Sequence, residues 1–426
     1  MKQILPLLFI LISSFCVVAQ KDCRVAEYQQ QVISNNPQLL NRYTAIENFT
    51  RNSLNTPTAV AAADSAKAAV PAIIVIPVIV HVLYNNVQQN LSDAQVMSQI
   101  EALNRDFRGT NADKINTPAY FAVVSADAGF EFKLARIDPK GYATSGIIRK
   151  QTNIQMFGLD DRIKYNRIGG DDAWDSKKYL NIWVGNIAGG VLGYTSKPGG
   201  PAEVDGVVIN TSAFGTVGLV AAPFNLGRTA THEIGHWLNL RHTWGDAYCG
   251  DDEVDDTPQQ RGSNRGCPSG EKITCGTSLH GDMYMNFMDL TNDACMFMFT
   301  NGQSKRMRAL FAKGGARYDL LNSTALTGMP VIQPIVNPVP APTASQEVQV
   351  SVYPNPAGSF VILSTSENEA VTDGQITIYN NIGQPVISLL MSGNRLSINV
   401  SHLPAGMYVI RKVNGGTVSV TKFIKK

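Results

Sequence analysis

The chain has 426 residues, a length that predicts about three folding units. Hydrophobic residues make up 44% of it and charged residues only 16%, which excludes a long disordered chain kept extended by its own charge. Because 36 basic residues nearly balance 34 acidic ones, no overall field favours binding to nucleic acid or to an anionic membrane. We therefore expect local binding sites and no nucleic-acid partner.

Residues 1–19 have the pattern of a secretory signal peptide. Lys2 is followed by an apolar run from Ile4 to Val18, and Ala19 is a small residue suited to cleavage. A transmembrane anchor is the alternative, but the run is shorter than the roughly 20 residues that a bilayer requires. We expect an exported chain without a stable membrane span, in a compartment where disulfides persist.

The next regions change from polar to α/β in character. Residues 20–54, extending up to about residue 70, are polar and predict no core of their own. An apolar run at 73–83 predicts a buried strand, and Ser92 with Gln95 predicts the start of an amphipathic helix. Further elements are predicted as strands at 130–137, 179–184 and 204–209, a loop at 189–201 and a helix at 229–238. Residues 55–325 are therefore predicted to form an α/β (α+β) domain.

The last hundred residues divide into a linker and a second domain. Residues 326–345 are rich in proline and predict an extended linker. Residues 346–426 contain short alternating segments separated by turn residues, which predict a small β-sandwich.

Three of the six histidines stand in a pattern typical of a zinc site. On a helix, His232 and His236 project from one face, with Glu233 beside them. His242 can reach the same ion if the helix ends first, and Asn239 is suited to that reversal because asparagine tolerates the left-handed conformation. Three nitrogen donors and one open position are typical of catalytic zinc. A solvent-facing helix that merely carries histidines is the alternative.

This pattern predicts peptide hydrolysis. Zinc lowers the pKa of bound water from 15.7 toward about 7, so that Glu233 can accept its proton while the hydroxide attacks a peptide carbonyl. Glu233 then returns the proton to the leaving amine. A metal-binding surface adhesin with an inactive protease fold is the alternative function.

Residues 70–308 resemble the pappalysin family, a member of the metzincin clan of zinc endopeptidases. The resemblance rests on the zinc motif with Trp237 and 241–243, and on segments 180–184, 205–208, 286–289, 295 and 299–303. It implies a twisted mixed sheet, a zinc-binding helix, and Met288 in a turn beneath the metal. The family usually has glycine at Asn239 and tyrosine at Leu290, so the group that would stabilise the oxyanion is left open here.

Four cysteines lie close together in the sequence. The family resemblance implies disulfides Cys249–Cys275 and Cys267–Cys295, which would tie the loop after the zinc helix to the methionine turn. A four-cysteine zinc site is the alternative, although the usual paired Cys-x-x-Cys spacing is missing.

Acidic residues between the zinc helix and these cysteines point to calcium. The candidate ligands are Asp251, Asp252, Asp256 and Thr257, because crowded carboxylates repel one another unless they are neutralised, and hard oxygen donors suit calcium. The resemblance also implies calcium in this loop. A solvated acidic loop is the alternative.

Cys23 is left without a disulfide partner if the other four pair and Cys16 leaves with the signal peptide. Its position resembles the cysteine switch of metzincin zymogens, in which a thiolate fills the open zinc position. Residues 20–54 are therefore interpreted as a prosegment that keeps the enzyme latent until it is cut. An inert or intermolecular cysteine is the alternative.

The family resemblance also implies cleavage before arginine or lysine. Asp293 is our candidate for the carboxylate of the P1′ pocket, and a cap of the next helix is its alternative role. With that preference, the Thr50–Arg51 bond would be a site of self-activation. Substrate is expected to lie extended along a strand edge near Gly190–Thr195.

The tail resembles the C-terminal sorting domain of type IX secretion, through segments 353–356, 403–408 and 422–426. The resemblance implies passage through the outer membrane to a secreted or cell-surface location, and removal of the tail. A carbohydrate-binding or adhesive β-domain is the alternative. The expected partners are peptide substrates and the secretion machinery, with the enzyme itself a monomer.

Overall fold

A computed structural model describes residues 23–55, 70–276, 278–328, 350–365, 374–381, 384–391, 393–414 and 417–426. It divides into two compact units, residues 1–333 and 334–426. The predicted signal peptide and residues 329–345 of the predicted linker lie outside the described residues. Among the described residues, none of the helices combines the length and the apolar character needed to cross a bilayer.

The N-terminal segment is helical, where the sequence analysis predicts only a polar stretch. Helix α1 spans Val25–Asn35 and α2 spans Leu39–Asn55. Each buries only a few residues, and these contact the following domain: α1 contacts the edge strand β5 (Gly193–Thr195), and α2 contacts helix α6 (Asn301–Ala309). The segment therefore folds on the surface of the domain it precedes and has no core of its own.

A six-stranded mixed sheet forms the centre of the first unit. Its strands are β1 (Ile74–Tyr84), β2 (Phe130–Leu134), β3 (Ile147–Gln151), β4 (Leu180–Gly185), β5 and β6 (Val207–Asn210). The order is β2-β1-β4-β6-β5, with β3 also paired to β1, and all pairs are parallel except β5 with β6. Strand β1 is buried on both faces, which explains its nearly continuous apolar sequence.

Strand β5 corrects the loop predicted at 189–201 from its glycine and proline content, and it lies within the strand edge expected near Gly190–Thr195. The strand has only three residues and begins with a glycine, so it is too short to show alternation in the sequence. It forms the antiparallel edge of the sheet.

Two helices cover one face of this sheet. Helix α3 spans Asp93–Phe107, and its N-cap Ser92 accepts a hydrogen bond from the backbone N–H of Gln95, as the sequence predicts. Helix α5 spans Arg228–Trp237 and is buried at every residue. Both helices contribute to one core with the inward side chains of β1, β4 and β6. The zinc-motif helix is thus enclosed by sheet and helices. A four-residue helix, α4 (Ala119–Ala122), lies between α3 and β2.

A buried ion pair joins α5 to the end of this unit. Arg317 donates two hydrogen bonds to Asp205, at 2.5 and 2.9 Å, and its guanidinium lies 3.8 Å from the Trp237 ring centroid. The indole N–H of Trp237 donates to the same carboxylate at 2.7 Å. The last residue of α5 is therefore held by charged groups that are themselves buried.

The second unit is an antiparallel β-sandwich, as predicted. Its strands are β7 (Val350–Tyr353), β8 (Phe360–Thr365), β9 (Gly374–Tyr379), β10 (Pro385–Met391), β11 (Arg395–Asn399), β12 (Gly406–Asn414) and β13 (Thr417–Lys425). They form a four-stranded sheet, β10-β9-β12-β13, and a three-stranded sheet, β11-β8-β7. Inward side chains of both sheets, such as Leu363 and Ile378, share one apolar core.

Candidate active site

The three histidines of the motif converge within the first unit. His236 Nε2 lies 3.1 Å from His232 Nε2 and 3.1 Å from His242 Nε2. All three side chains are at most 2% exposed. The structure thus brings three ring nitrogens to one point, with His232 and His236 on α5 and His242 beyond its end.

Each of these rings has an acceptor at its other nitrogen. His232 Nδ1 lies 2.7 Å from the Phe287 carbonyl, His236 Nδ1 lies 2.9 Å from the Leu240 carbonyl, and His242 Nδ1 lies 2.5 Å from Asp246 Oδ1. An Nδ1–H donor fixes the tautomer in which Nε2 carries a lone pair. Burial and the neighbouring His242 lower the pKa of His236 well below its usual range, so that ring is neutral and able to bind a metal.

Asp246 is a site residue that the sequence analysis does not single out. It lies in the acidic stretch interpreted there as a calcium loop, yet its carboxylate contacts His242. Burial alone would raise the pKa of Asp246, but the hydrogen bond and the charge of His242 lower it to about 2. Its position four residues after a metal-motif histidine is the signal that could have identified it.

The chain reverses at Asn239, the residue expected to do so. Its φ of +72° lies in the left-handed region, and the backbone N–H of Leu240 returns to the Gly235 carbonyl at 2.9 Å. Arg306, which is 1% exposed, donates to the Asn239 carbonyl at 2.9 Å. The turn that carries His242 back toward α5 is therefore held from outside the motif.

Cys23 lies at the fourth side of the histidine cluster. Its Sγ is 3.8 Å from His236 Nε2, and it pairs in parallel with Gly193 of β5 through an isolated bridge. The thiol and the three ring nitrogens lie within 4.8 Å of one another. Of the described residues, only these four form such a group of three or more possible metal ligands.

The donor set fits zinc. Zinc binds imidazole nitrogen at about 2.0 Å and thiolate at about 2.3 Å, so ligands of one tetrahedral ion are separated by roughly 3.3 to 3.7 Å. The separations of 3.1 and 3.8 Å in this cluster are close to those values. Hard cations such as calcium prefer oxygen, and none of these four donors is an oxygen.

Glu233 lies between the histidines and strand β5. It is 1% exposed, and a Cβ placed on Gly193 would lie 2.8 Å from its Cγ and 3.0 Å from its Oε1. A side chain at position 193 would displace this carboxylate. Gly193 lies within the strand edge expected near Gly190–Thr195, but the sequence analysis does not identify its contact with Glu233.

The methionine turn packs against the zinc-motif helix. A Cβ on Gly235 would lie 2.4 Å from Met288 Sδ. Because glycine has no side chain, this position between the two helix histidines leaves room for Met288. Leu290, where the family usually has tyrosine, is 4% exposed, and its side chain has no hydroxyl that could stabilise the oxyanion.

The four clustered cysteines form two disulfides in the structure, Cys249–Cys275 and Cys267–Cys295.

The four predicted calcium ligands divide into separate groups. Asp252 accepts from the Thr257 hydroxyl at 2.8 Å, whereas Asp256 accepts from the Thr300 hydroxyl at 2.6 Å and from the Gly302 N–H at 2.8 Å. Asp251 is exposed and accepts from the Glu253 N–H at 2.7 Å.

Two residues of the predicted specificity and activation sites are buried. Asp293 is 0% exposed and accepts from the backbone N–H groups of Leu226 and Arg228 at the start of α5, at 2.9 and 3.3 Å. Thr50 is 0% exposed within α2, so a protease reaches the Thr50–Arg51 bond only after the end of this helix unfolds.

Comparison with known proteins agrees with this site. A family model described as Pregnancy-associated plasma protein-A matches residues 164–312. The structure of mature mirolysin from Tannerella forsythia, in complex with a cleaved peptide, is 49% identical, with a TM-score of 0.57. This match covers 58% of our chain and 96% of that one. The chain belongs to the pappalysin family of zinc metalloendopeptidases.

Other pappalysin relatives support a zymogen form and secretion from the cell. The structure of a mutant of promirolysin from the same organism matches with 43% identity and a TM-score of 0.64. This match covers 71% of this chain and 97% of the promirolysin chain. An extracellular metalloprotease of Pyricularia oryzae is 36% identical over 203 residues, which are 44% of this chain and 68% of that protein. This pappalysin is therefore a secreted metalloprotease with a zymogen form.

The β-sandwich has its own relatives. A family model described as Secretion system C-terminal sorting domain matches residues 351–426. The second unit is thus a type IX sorting domain, and the pappalysin is exported to the cell surface or the medium.

Proposed function

We propose that His232, His236 and His242 hold one catalytic zinc ion in a monomeric endopeptidase and that Glu233 is its general base. The observation that carries this proposal is the convergence of three Nε2 atoms, each on a ring whose Nδ1 has an acceptor. When bound, zinc supplies Lewis acidity that polarises the peptide carbonyl and acidifies a water molecule. All of these residues come from one chain.

The chain's own groups provide proton transfer and substrate alignment. Glu233, held against Gly193, takes a proton from the attacking water and delivers it to the leaving amine. Strand β5 pairs with β6 along one edge, and Cys23 lies along the other. A peptide that replaces the prosegment on this second edge gains main-chain hydrogen bonds beside Glu233.

Latency is proposed to come from Cys23. Its thiol lies 3.8 Å from His236 Nε2, the position from which a thiolate would complete the zinc coordination and exclude water. Cutting the prosegment removes this ligand and frees the edge of β5. Among the relatives, promirolysin covers 71% of this chain and mature mirolysin 58%, which supports a prosegment of this kind.

A P1′ preference for arginine or lysine is proposed to depend on Asp293. Its carboxylate is buried at the start of the zinc-motif helix, beside the methionine turn, where it would attract a basic side chain. We expect Asp293→Asn to lower cleavage before arginine at least tenfold relative to cleavage before leucine. An equal loss for both residues would instead assign Asp293 to capping of α5 alone.

Calcium is proposed to bind at Asp252 and Thr257. Asp252 is 4% exposed, and burial raises its pKa to about 7 although the Thr257 hydroxyl and the Val254 N–H both donate to it. A calcium ion would supply the missing positive charge and bind the carboxylate oxygens directly. Asp256, which receives hydrogen bonds at the start of α6, is the weaker candidate.

The test is Glu233→Ala, compared with the wild type after an added protease has cut the prosegment of both full-length chains, because the variant is not expected to process itself. We expect peptide hydrolysis to fall by about 100- to 10,000-fold while bound zinc, measured by elemental analysis, stays at one ion per chain. The control is Glu101→Gln, which changes an exposed glutamate of α3 and should leave hydrolysis unchanged. Full activity in Glu233→Ala would contradict the proposed role.

A further inference from the structure

A buried lysine of the catalytic domain is completed by a tyrosine of the prosegment. The ammonium of Lys164, which is 0% exposed, pairs with Asp161 at 2.8 Å and donates to the Val204 carbonyl at 2.9 Å. The hydroxyl of Tyr28, on α1, donates to Asp161 Oδ2 at 2.7 Å and accepts from Lys164 at 3.3 Å. Tyr28 is 1% exposed, so its whole side chain is enclosed.

Aromatic rings form the walls around this lysine. Its Nζ lies 5.5 Å from the ring centroid of Trp183 and 5.2 Å from that of Tyr194, both 0% exposed. The Tyr28 ring lies 5.0 Å from the Tyr194 ring and closes the remaining side. Lys164 and these two walls belong to the catalytic domain, so removal of Tyr28 would leave them around a space of the size of a tyrosine side chain.

The polar groups of this cavity match a phenol. A phenol can donate to Asp161 and accept from Lys164 at the same time, whereas a phenylalanine ring can do neither and leaves two charged groups without a hydrogen-bond partner at that side. Burial, together with the charge of Asp161, raises the pKa of Tyr28, which keeps the hydroxyl protonated and able to donate. Asp161 holds its carboxylate there from a left-handed backbone conformation, with φ at +57°.

The cavity lies directly behind the strand proposed to bind substrate. Gly193 of β5 faces Glu233, and the next residue, Tyr194, faces the opposite side of the sheet because side chains alternate along a strand. The prosegment passes from Cys23 beside Gly193 to Tyr28 beside Tyr194 within five residues. A peptide extended along β5 would present alternate side chains to the same side.

We propose that this cavity is a tyrosine-binding subsite of the protease. It is lined by Asp161, Lys164, Trp183 and Tyr194, and we call it the phenol site. Tyr28 fills it in the latent chain, and a tyrosine of a peptide lying along β5 fills it after activation. The inference rests on the proposed function, since it requires a peptide along β5.

The first test uses the full-length chain and needs no catalysis. Tyr28→Ala empties the phenol site, and 4-methylphenol and toluene then serve as the side chains of tyrosine and phenylalanine. We expect 4-methylphenol to bind this variant at least tenfold more tightly than toluene, measured by the rise in unfolding temperature, and neither to affect the wild type. In the double variant with Lys164→Met the difference should fall. Equal binding of both compounds, or of neither, would overturn the proposal.

If Tyr28→Ala does not fold, Tyr28→Phe provides the same test in a milder form. Amide hydrogen exchange of α1 should become about tenfold faster, because the two hydrogen bonds to the hydroxyl are lost. The matched control is Tyr43→Phe on α2, which removes the hydroxyl of a half-buried tyrosine elsewhere in the prosegment and should leave α1 unchanged. Unchanged exchange in Tyr28→Phe would overturn the proposal.

The second test uses the enzyme activated from the full-length chain. In a peptide library, one position should favour tyrosine over phenylalanine at least tenfold in kcat/KM, and Lys164→Met should remove that preference. A profile without such a position would contradict the subsite. Absence of all cleavage would instead contradict the proposed function, while the binding of 4-methylphenol would still decide the phenol site.

Discussion

The zinc-motif helix and the proposed prosegment are held to the same domain in different ways. Helix α5 is buried at every residue, and two of its histidines are oriented by backbone carbonyls. Helix α2 instead buries only Leu39 and Thr50 and is joined to the domain by side-chain contacts, such as Glu47 with Arg306 and Arg51 with Glu253.

This difference corresponds to two different requirements. A metal site needs donors that do not move, and backbone groups in a packed core provide this rigidity. A prosegment has to bind well and then leave, and a few side-chain contacts on a mostly exposed helix allow both. The contacts that matter most for release should therefore be few and separable by mutation.

The largest effect is expected where the zinc-motif helix is anchored by charge. Arg317→Met removes one partner of a buried pair and leaves Asp205 uncompensated, so we expect the free energy of unfolding to fall by about 3 to 5 kcal/mol, measured by urea denaturation. Arg108→Met breaks two partly exposed pairs, with Asp127 and Glu131, and should cost less than about 1 kcal/mol. Similar losses in both variants would remove the distinction between these anchors.

Cys23 should have the next largest effect. In the full-length chain, Cys23→Ser replaces the thiolate with a weak zinc ligand, so hydrolysis of a short peptide before processing should rise about tenfold or more. Glu27→Gln, which alters an exposed ion pair between the first turn of α1 and its N-cap residue Arg24, serves as the control and should keep the chain latent. Unchanged latency in Cys23→Ser would show that the prosegment blocks the site by other contacts.

An effect of intermediate size on stability is expected from Asp252, in the loop after the zinc-motif helix. Because burial raises the pKa of Asp252 from 3.8 to about 7, the folded chain keeps a proton that the unfolded chain has lost, and the free energy of unfolding falls as pH rises between these values. Bound calcium should abolish this fall, and Asp252→Asn should abolish it without calcium. A stability curve that is independent of calcium at pH 8 would contradict the calcium site.

The smallest effect is expected at Glu47. Burial alone would raise the pKa of Glu47, but the hydrogen bond from Arg306 and the charges of Arg241 and Arg51 lower it. A lowered pKa means that docking of α2 is strongest above the ordinary carboxyl pKa of about 4.3 and weakens as pH falls through the lowered value.

We therefore expect the protection factors of the α2 amides, which are corrected for the intrinsic pH dependence of exchange, to be a few-fold lower in Glu47→Gln than in the wild type at pH 7, with no further loss at lower pH. The wild type should lose protection only as pH falls below about 4.3, through the lowered pKa of Glu47. Arg51→Gln changes an exposed pair and should have a still smaller effect. Equal pH dependence in the wild type and Glu47→Gln would contradict the role of this carboxylate.

The sequence contains most of the information on the zinc motif because that information is local. Spacing places His232 and His236 on one helix face, and the reversal at Asn239 follows from the tolerance of asparagine for positive φ. The long apolar run of β1 likewise predicts a buried strand, because a strand covered on both faces has no polar side to place in solvent.

The contacts that complete the site are not local, and the sequence alone does not indicate them. Gly193 leaves the space in which the Glu233 side chain lies, and Tyr28 accepts a hydrogen bond from Lys164. Each of these contacts joins residues far apart in the chain, 136 residues in the case of Tyr28 and Lys164. Helices α1 and α2 depend on the domain beneath them, so their polar sequences show no core pattern of their own. Strand β5, with three residues, is too short to be predicted from alternation.

The central claim is that three histidines and Cys23 bind one zinc ion in the latent chain. Zinc K-edge X-ray absorption of the full-length protein measures this ligand set directly. We predict three nitrogen ligands and one sulfur at about 2.3 Å, with the sulfur absent in Cys23→Ser and after activation. A first shell of nitrogen and oxygen alone in the unprocessed wild type would contradict the claim.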